Sequence, residues 1–437
     1  MAESTPSPKA ILRGHKAQVH AATFVRHNER LATGDAEGWV VLWDLTIMRP
    51  RAVWRAHENA ILGIGGWGRD RIITHGRDHK LIVWRVREED EGRLSVSLPL
   101  EDAPTPRPQP WALHLLEVNT MNFCSFAACL SDPEQGSVEA GSPTSEVVLA
   151  VPNTLASEAI DIYTLPSQAR IHTVKPDQKN GMAMSLSLFH HHGRLTLAAA
   201  FENGVVSVHR LDSDGSWTMT YRSQAHTQPV LSIGVHPNRE FLFTSSADAL
   251  IAKHPVPISP QEVDVDFEPN QRVTEAAEPL QGNTGRKRLK EWEHPLKVVN
   301  TKHSGQQNLK VRSDGKLLAT AGWDSRIRIY SAKTLKELAV LSWHKVGAYA
   351  VAFATVEDSN APASASVATS EQPAETASLQ DVPGAKPPET STEPQEAGTL
   401  AKGLGMSVKD RRLELAKTAH WIAAGAKDGK VSLWDIY

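Results

Sequence analysis

The chain of 437 residues is 40% hydrophobic and 22% charged, which is ordinary for a soluble globular protein. Its formal net charge of −3 excludes a global field favouring nucleic acid or acidic membranes, and two cysteines, Cys124 and Cys129, exclude a disulfide framework. The N-terminal MAESTPSPKA lacks the apolar core of a signal peptide, and no apolar run reaches the ~18 residues of a transmembrane helix. We therefore expect a protein of the nucleus or cytosol.

A unit with fixed internal spacing recurs along the chain. The first unit reads LRGHKAQVHAATF and then LATGDAEGWVVLWD, with a separation of 28 residues between His15 and Trp43. The second unit reads RAHENAILGIGGW and then IITHGRDHKLIVW, with a separation of 27 residues between His57 and Trp84. The same two separations recur in two later units, which run from His226 to His254 and from His303 to Tyr330.

Two more residue types recur at fixed offsets within these units. An acid stands six residues before the closing aromatic residue or histidine, and these acids are Glu37, Asp78, Asp248, Asp324 and, in the last unit of the chain, Asp428. A threonine stands four residues before the acid in four units, at Thr33, Thr74, Thr244 and Thr320. Agreement at three offsets predicts a repeat protein whose units share one set of side-chain contacts.

This pattern resembles the WD40 repeat, which implies a four-stranded antiparallel blade for each unit. The resemblance places the acid in the turn between the second and third strands, where it reaches the histidine of the repeat. The threonine then bridges to that histidine, and the tryptophan packs on it; such a buried network is tolerable only when every member is bonded. The residues that we expect in these structural networks are His15, Thr33, Trp43, His57, Thr74, Asp78, Trp84, Thr320, Asp324, Asp428 and Trp434.

Three further units bring the number of blades to seven. The third unit, around MNFCSFAACL and EVVLAVPN, and the fourth, MSLSLFHHHGRLTLAAAFENGVVSVHR, keep the strand rhythm with little of the signature. The last unit, WHKVGAYAVAF and HWIAAGAKDGKVSLWD, supplies only three strands, and the segment AILRG at residues 10–14 supplies a fourth. We therefore predict an all-β fold, in which residues 1–437 form a single seven-bladed WD40 β-propeller closed by pairing of the N-terminal strand with the last blade.

Excess length between units predicts long disordered insertions at about residues 88–110, 131–145, 255–295 and 354–412. The last insertion is rich in Ala, Ser, Thr, Pro and Glu, so it cannot bury enough apolar surface to offset its chain entropy. The stretch MSVKDRRLELAKTAHW at its end is compatible with a short helix. The basic run Arg286, Lys287, Arg288 and Lys290 fits either a nuclear import signal or a solvated surface patch.

Residues that could perform chemistry do not form a recognisable constellation. The chain has no P-loop, HExxH or GxSxG motif, and the repeat acids are spread over different blades. The adjacent histidines at 190–192 alternate between faces of a strand or sit in a hairpin, so they cannot converge on one metal ion. We therefore expect no catalytic residues, no cofactor, no metal and no small-molecule substrate.

Four segments resemble the fungal ASTRA-associated WD-repeat family, which is related to the animal G-protein-β-like WD proteins. They are AILRGHKAQVHAATF, LATGDAEGWVVLWD, RIITHGRDHKLIVW and AAGAKDGKVSLWDI. The resemblance implies a non-catalytic scaffold in a nuclear assembly that is linked to chromatin remodelling. Its implied partners are HEAT-repeat co-chaperones and the phosphatidylinositol-3-kinase-related kinases that they mature, with no direct binding of nucleic acid or membrane.

Two other functions remain open for such a propeller. One is a substrate adaptor of a ubiquitin ligase, and the other is a reader of histone tails. A reader requires an aromatic or acidic cluster at the mouth of the central channel, and a linear sequence does not show which loops meet there.

Overall fold

The computed structural model describes residues 6–101, 106–119, 123–135, 138, 142, 144–176, 178–258, 261–262, 289–290, 292–356 and 407–436. Strands account for nearly all the regular structure in these ranges. They form seven four-stranded antiparallel sheets and one two-stranded sheet. No helix in the described part of the chain is long and apolar enough to span a membrane.

The chain begins in the last blade and then builds three complete blades. The first strand is β1 (Ala10–Arg13). Blade 1 contains β2 (Val19–Val25), β3 (Arg30–Asp35), β4 (Trp39–Asp44) and β5 (Arg49–Arg55). Blade 2 contains β6 (Ile61–Trp67), β7 (Arg71–Gly76), β8 (Lys80–Arg85) and β9 (Trp111–Glu117). Blade 3 contains β10 (Ala127–Leu130), β11 (Val147–Pro152), β12 (Ile160–Leu165) and β13 (Ala169–Val174).

Four more blades complete the ring. Blade 4 contains β14 (Ala183–His191), β15 (Arg194–Phe201), β16 (Val205–Leu211) and β17 (Trp217–Gln224). Blade 5 contains β18 (Val230–Val235), β19 (Phe241–Ser246) and β20 (Leu250–Pro255); β21 (Gln261–Glu262) pairs with β22 (Leu289–Lys290) outside it, and β23 (Lys297–Asn300) is its fourth strand. Blade 6 contains β24 (Gln306–Val311), β25 (Leu317–Gly322), β26 (Arg326–Ser331) and β27 (Glu337–Ser342). Blade 7 contains β28 (Ala348–Phe353), β29 (Trp421–Ala426), β30 (Lys430–Asp435) and β1, with helix α1 (Val408–Thr418) inserted before β29.

The ring is closed by the two ends of the chain, as the sequence predicts. Strand β1 runs antiparallel to β30, with Ala10 opposite Leu433 and Arg13 opposite Lys430. The backbone amide of Lys9 adds a hydrogen bond of 2.8 Å to the carbonyl oxygen of Leu433. This pairing satisfies the backbone groups that an edge strand would otherwise expose. The all-β, seven-bladed propeller is therefore confirmed.

Adjacent blades share their apolar cores. The first strand of each blade lies innermost, and β2, for example, contacts β6 on one side and β28 on the other. Val40, Leu42 and Trp54 of blade 1 pack with Ile61 and Trp84 of blade 2. A middle strand is therefore covered on both faces, which explains why all six residues of β3 are buried.

The described part of the first insertion packs on blade 1 through buried charges. Glu91 lies in a short 3₁₀ turn (Glu91–Arg93), and its carboxylate is fully buried. It accepts hydrogen bonds from the guanidinium groups of Arg26, Arg30 and Arg51. Opposite charges in direct contact offset the cost of removing each from water. Composition alone gives no sign of this anchoring, because the partners lie 40 to 65 residues from Glu91.

The Asn28 side chain binds the chain on both sides of the last insertion. The Asn28 amide donates hydrogen bonds to the backbone carbonyls of Thr355 (2.7 Å) and Lys417 (3.0 Å) and accepts one from the Thr355 amide (2.9 Å). Helix α1 begins after Ser407, whose hydroxyl accepts a hydrogen bond from the Asp410 amide at 3.1 Å. Residues 357–406 of the insertion expected at 354–412 lie outside the described residues, whereas Thr355 is hydrogen-bonded to Asn28 and residues 408–412 belong to helix α1.

Candidate functional site

Blade 2 contains the complete polar network expected from the spacing. His57 Nδ1 lies 2.8 Å from Asp78 Oδ1, and His57 Nε2 lies 2.8 Å from Thr74 Oγ1. The Trp84 indole N–H donates to the same threonine oxygen at 2.8 Å. Burial alone would raise the pKa of Asp78, but the hydrogen bonds from His57 and from the Glu58 amide lower it to about 2. Each buried polar atom in this chain of contacts therefore has a partner.

Blade 1 contains the same network with a different acid. His15 bonds to Thr33 Oγ1 at 2.7 Å, and the Trp43 indole N–H donates to that oxygen at 2.8 Å. The carboxylate beside His15 Nδ1 belongs to Asp35, at 2.8 Å, and not to Glu37 as the spacing suggested. Asp35 is the last residue of β3 and is fully buried, whereas Glu37 lies exposed in the following turn and only donates its backbone amide to Asp35. Our assignment of Glu37 to the network was wrong because it counted residues back from the tryptophan.

Blade 5 extends the network into its neighbour. His226 bonds to Asp248 (3.2 Å) and to Thr244 (2.7 Å), and Thr244 bonds to His254 Nε2 at 2.8 Å. His254 stands where blades 1, 2 and 7 have tryptophan, and its Nδ1 lies 2.7 Å from the Tyr221 hydroxyl of blade 4. Burial, aided by nearby His226, lowers the pKa of His254 to about 3. Sequence reasoning missed Tyr221, although a buried histidine in place of tryptophan signals a need for one more partner.

Blade 6 does not assemble the predicted network. Asp324 binds the Arg328 guanidinium, at 2.6 and 3.1 Å, instead of a histidine. The His303 side chain is 44% exposed, and its Nδ1 is 3.8 Å from Asp324. Thr320 is buried on β25 as predicted. The His303 side chain lies towards solvent and does not bond to Thr320. The spacing is therefore retained in this blade while the contact has changed.

Blade 7 keeps the contact with a substituted residue. Position 424, where threonine is expected, is alanine, and the hydroxyl comes instead from Ser432 on the next strand. His344 Nε2 lies 2.8 Å from Ser432 Oγ, and the Trp434 indole N–H donates to that oxygen at 2.9 Å. Asp428, which we placed in the network, binds the Lys430 ammonium at 2.7 Å. Ser432 was missed because it lies on a different strand from the other threonines.

These networks stabilise blades, whereas the cavity that a ligand could enter lies on the ring axis. It has a volume of about 500 Å³, and every blade contributes to it through the innermost strand or an adjoining turn. We call this cavity the channel mouth; one lining residue from each blade, in order, is His20, Leu62, Phe126, Met184, Leu231, Gln307 and Tyr349. Two exposed aromatic residues also line it, Phe123 at 60% and Trp323 at 48% exposure. The mouth therefore presents exposed aromatic side chains among polar ones and is open to solvent.

Two basic side chains stand at the channel mouth. The Arg77 guanidinium lies 4.4 Å from the centre of the Phe123 ring, and Lys310 lines the cavity with an exposed side chain. Amides, hydroxyls and the His20 imidazole supply the other polar groups. No carboxylate is present among the described residues that line the mouth. The site can therefore accept apolar groups and negative charge.

Comparison with known proteins covers almost all of this chain. The family model described as ASTRA-associated protein 1 matches residues 8–434. The chain belongs to the ASTRA-associated protein 1 family. A family member from Verticillium alfalfae is 52% identical, with 99% of this chain and 93% of the relative aligned. One from Pyricularia oryzae is 46% identical over 98% of this chain and 97% of the relative.

A more distant member of the ASTRA-associated protein 1 family confirms the span of the match. The protein from Schizosaccharomyces pombe is 33% identical, and the alignment covers 80% of this chain and 93% of that protein. The resemblance that the sequence indicated is therefore confirmed. The name of these relatives states an association with ASTRA and specifies no binding residue.

In this ASTRA-associated protein 1 family member, none of the remaining candidate residues that the structure describes lines the channel mouth. Arg286, Lys287 and Arg288 lie outside the described residues, and Lys290 belongs to the short β22. Cys124 is buried and Cys129 half-buried; burial raises the pKa of the Cys129 thiol to about 12, which disfavours the nucleophilic thiolate. Within the described ranges, no three His, Cys, Asp or Glu side chains could hold a metal ion together.

Proposed function

We propose that this protein is a non-catalytic scaffold subunit of the ASTRA nuclear assembly. In this role it contributes to chromatin remodelling and to the maturation of phosphatidylinositol-3-kinase-related kinases. The observation that carries the proposal is the family match over residues 8–434. A closed ring of seven blades supports it, because such a ring holds many loops in fixed positions for several protein partners.

A scaffold without catalysis is consistent with the positions of the ionisable groups. The histidine–acid pairs of blades 1, 2 and 5 have histidine side chains with 0% exposure, inside the blades. A substrate in the channel mouth would not reach them. Their hydrogen-bonding capacity is also taken up by threonine and by turn amides.

We propose HEAT-repeat co-chaperones and kinase-related proteins as the partners, and the nucleus as the compartment. Quantitative mass spectrometry of the tagged full-length chain, purified from its native cells, tests both the assembly and the partners. We expect the co-chaperones and kinase-related proteins to be enriched over an untagged control. Recovery of ubiquitin-ligase subunits or nucleosomes without them would contradict the proposal.

The basic run is our candidate for the import signal. A fluorescent fusion carrying Arg286→Ala, Lys287→Ala, Arg288→Ala and Lys290→Ala should shift from nucleus to cytoplasm. A matched fusion with Lys409→Ala and Arg412→Ala, exposed on helix α1, should stay nuclear. An unchanged nuclear signal in the first fusion would contradict this assignment.

A histone-tail reader is the second candidate, because aromatic side chains do surround the channel mouth. A basic tail needs open aromatic faces and nearby carboxylates. Here Arg77 already stacks on Phe123, and none of the described lining residues carries a carboxylate. The charges at the mouth therefore favour the scaffold over a reader of basic tails.

A further inference from the structure

Two exposed aromatic side chains stand across one opening of the ring. Phe123 precedes the first strand of blade 3, and Trp323 lies in the turn between β25 and β26 of blade 6. These blades are three places apart in a ring of seven, so the two side chains approach the channel mouth from opposite sides. Large apolar groups that share an open cavity mark a binding site more often than isolated exposed ones.

Both aromatic rings are held before any partner arrives. The Trp323 indole N–H donates to the Gln307 side-chain oxygen at 2.8 Å, and the ring lies against Gly305. A Cβ at Gly305 would lie 2.2 Å from the Trp323 ring, and this glycine has a φ of +74°, so glycine is required there. The Arg77 guanidinium stacks on the Phe123 ring, which remains 60% exposed. Fixed aromatic anchors lose little side-chain entropy on binding, which suits them to carry affinity.

The polar residues at the channel mouth indicate which groups a bound partner would carry next to its apolar side chain. Arg77 and Lys310 supply positive charge around the cavity, and no described lining residue opposes it with a carboxylate. The amides of Gln18, Gln307 and Asn308 and the hydroxyl of Ser125 can bond to a peptide backbone. A volume of about 500 Å³ admits a few side chains and no folded domain.

We propose that the channel mouth binds an extended segment of a partner protein in which an apolar side chain stands next to an acidic one. The apolar side chain inserts between Trp323 and Phe123, and the carboxylate faces Arg77 and Lys310. This inference rests on the proposed scaffold function, because it names the chemistry by which one partner would be held. Charge complementarity excludes a basic segment from the same site.

A displayed library of random peptides, selected on the purified full-length protein, tests the proposal. We expect enrichment of sequences with Asp or Glu beside Leu, Phe or Trp. A synthetic peptide from the enriched pool, measured by fluorescence polarisation, should lose about tenfold or more in affinity on Trp323→Ala. Arg77→Glu should weaken binding of the same peptide, and the affinity for wild type should fall as salt is added.

Trp111→Ala is the matched control, because Trp111 is 70% exposed on β9, the outermost strand of blade 2. Its affinity for the peptide should stay within about twofold of wild type, since it leaves the site untouched. Phe123→Ala gives a second test from the opposite side if Trp323→Ala lowers the melting temperature. Failure to enrich any motif, enrichment of basic motifs, or equal binding by Trp323→Ala and wild type would overturn the inference. Such a result, with ASTRA subunits still co-purifying, would leave the scaffold function intact.

Discussion

Blades 2 and 6 share the same residue types at the histidine, threonine and acid positions, yet they are held by different interactions. In blade 2, His57 is buried between Thr74 and Asp78. In blade 6 the corresponding His303 is 44% exposed. The Asp324 carboxylate is bound instead by the guanidinium of Arg328, on β26. Burial alone would raise the pKa of Asp324, but the Arg328 guanidinium lowers it.

The difference depends on which side chain binds the carboxylate of the acid. Arg328 has only 5% side-chain exposure, and two of its guanidinium nitrogens donate to Asp324. This two-point contact binds the carboxylate in place of His303. Tyr330 stands where blade 2 has Trp84, so blade 6 lacks the indole N–H that donates to the threonine in blade 2. Blade 6 therefore relies on a partly exposed ion pair, and blade 2 relies on a dry hydrogen-bonded chain.

The largest effect should come from removing the hydroxyl at the centre of blade 2. Thr74→Val preserves shape but leaves the Trp84 N–H and His57 Nε2 buried without partners, so we expect a loss of about 2–4 kcal/mol. The measurement is the free energy of urea unfolding. Thr320→Val in blade 6 should cost about 1 kcal/mol, because no histidine or tryptophan depends on it. Equal losses in the two variants would remove the distinction between the blades.

Blade 7 has alanine at 424 in place of the usual threonine, but it keeps the hydroxyl contact with histidine and tryptophan through Ser432. Ser432→Ala leaves the Trp434 N–H and His344 Nε2 unpaired, and should cost about 1–3 kcal/mol in the same assay. Ala424→Thr, which restores the usual residue type, should not rescue it if Ser432 is the bridging group. Full recovery in the double variant would show that position 424 can still serve.

Low pH should destabilise blade 2 more than blade 6, because blade 2 has the buried His75 where blade 6 has Ala321. Burial, aided by nearby His57, lowers the pKa of His75 to about 3, so it stays neutral when the unfolded chain binds a proton. Stability is therefore lost as pH falls from about 6.5 towards 3, by up to about 1.4 kcal/mol per pH unit. His75→Phe should make unfolding less dependent on pH in this window. An unchanged pH profile would contradict the assignment.

The smallest effect should come from His303. Its side chain is 44% exposed and only weakly placed against Asp324, so His303→Ala should change the unfolding free energy by less than about 0.5 kcal/mol. His57→Ala in blade 2 should cost several times more, because it leaves the buried Asp78 and Thr74 without their partner. A loss on His303→Ala that matches His57→Ala would mean that blade 6 closes its network in solution.

Spacing in the sequence was enough to predict the blades and the closure of the ring. It misassigned Glu37 because Asp35, two residues earlier, was already buried at the strand end. It missed Tyr221, which belongs to another blade, and Glu91, whose arginine partners are distant in sequence. Phe123 and Trp323 are 200 residues apart, and only the order of blades around the ring brings them to one opening.

The pairing of β1 with β30 has a consequence for biosynthesis. A ribosome releases residues 10–13 more than 400 positions before their hydrogen-bonding partners at 430–433 exist. Blades 1 to 6 can form from local hairpins, while β1 has no hydrogen-bonded neighbour until β30 emerges. The nascent chain therefore exposes an unpaired strand that could pair with other chains for most of its synthesis.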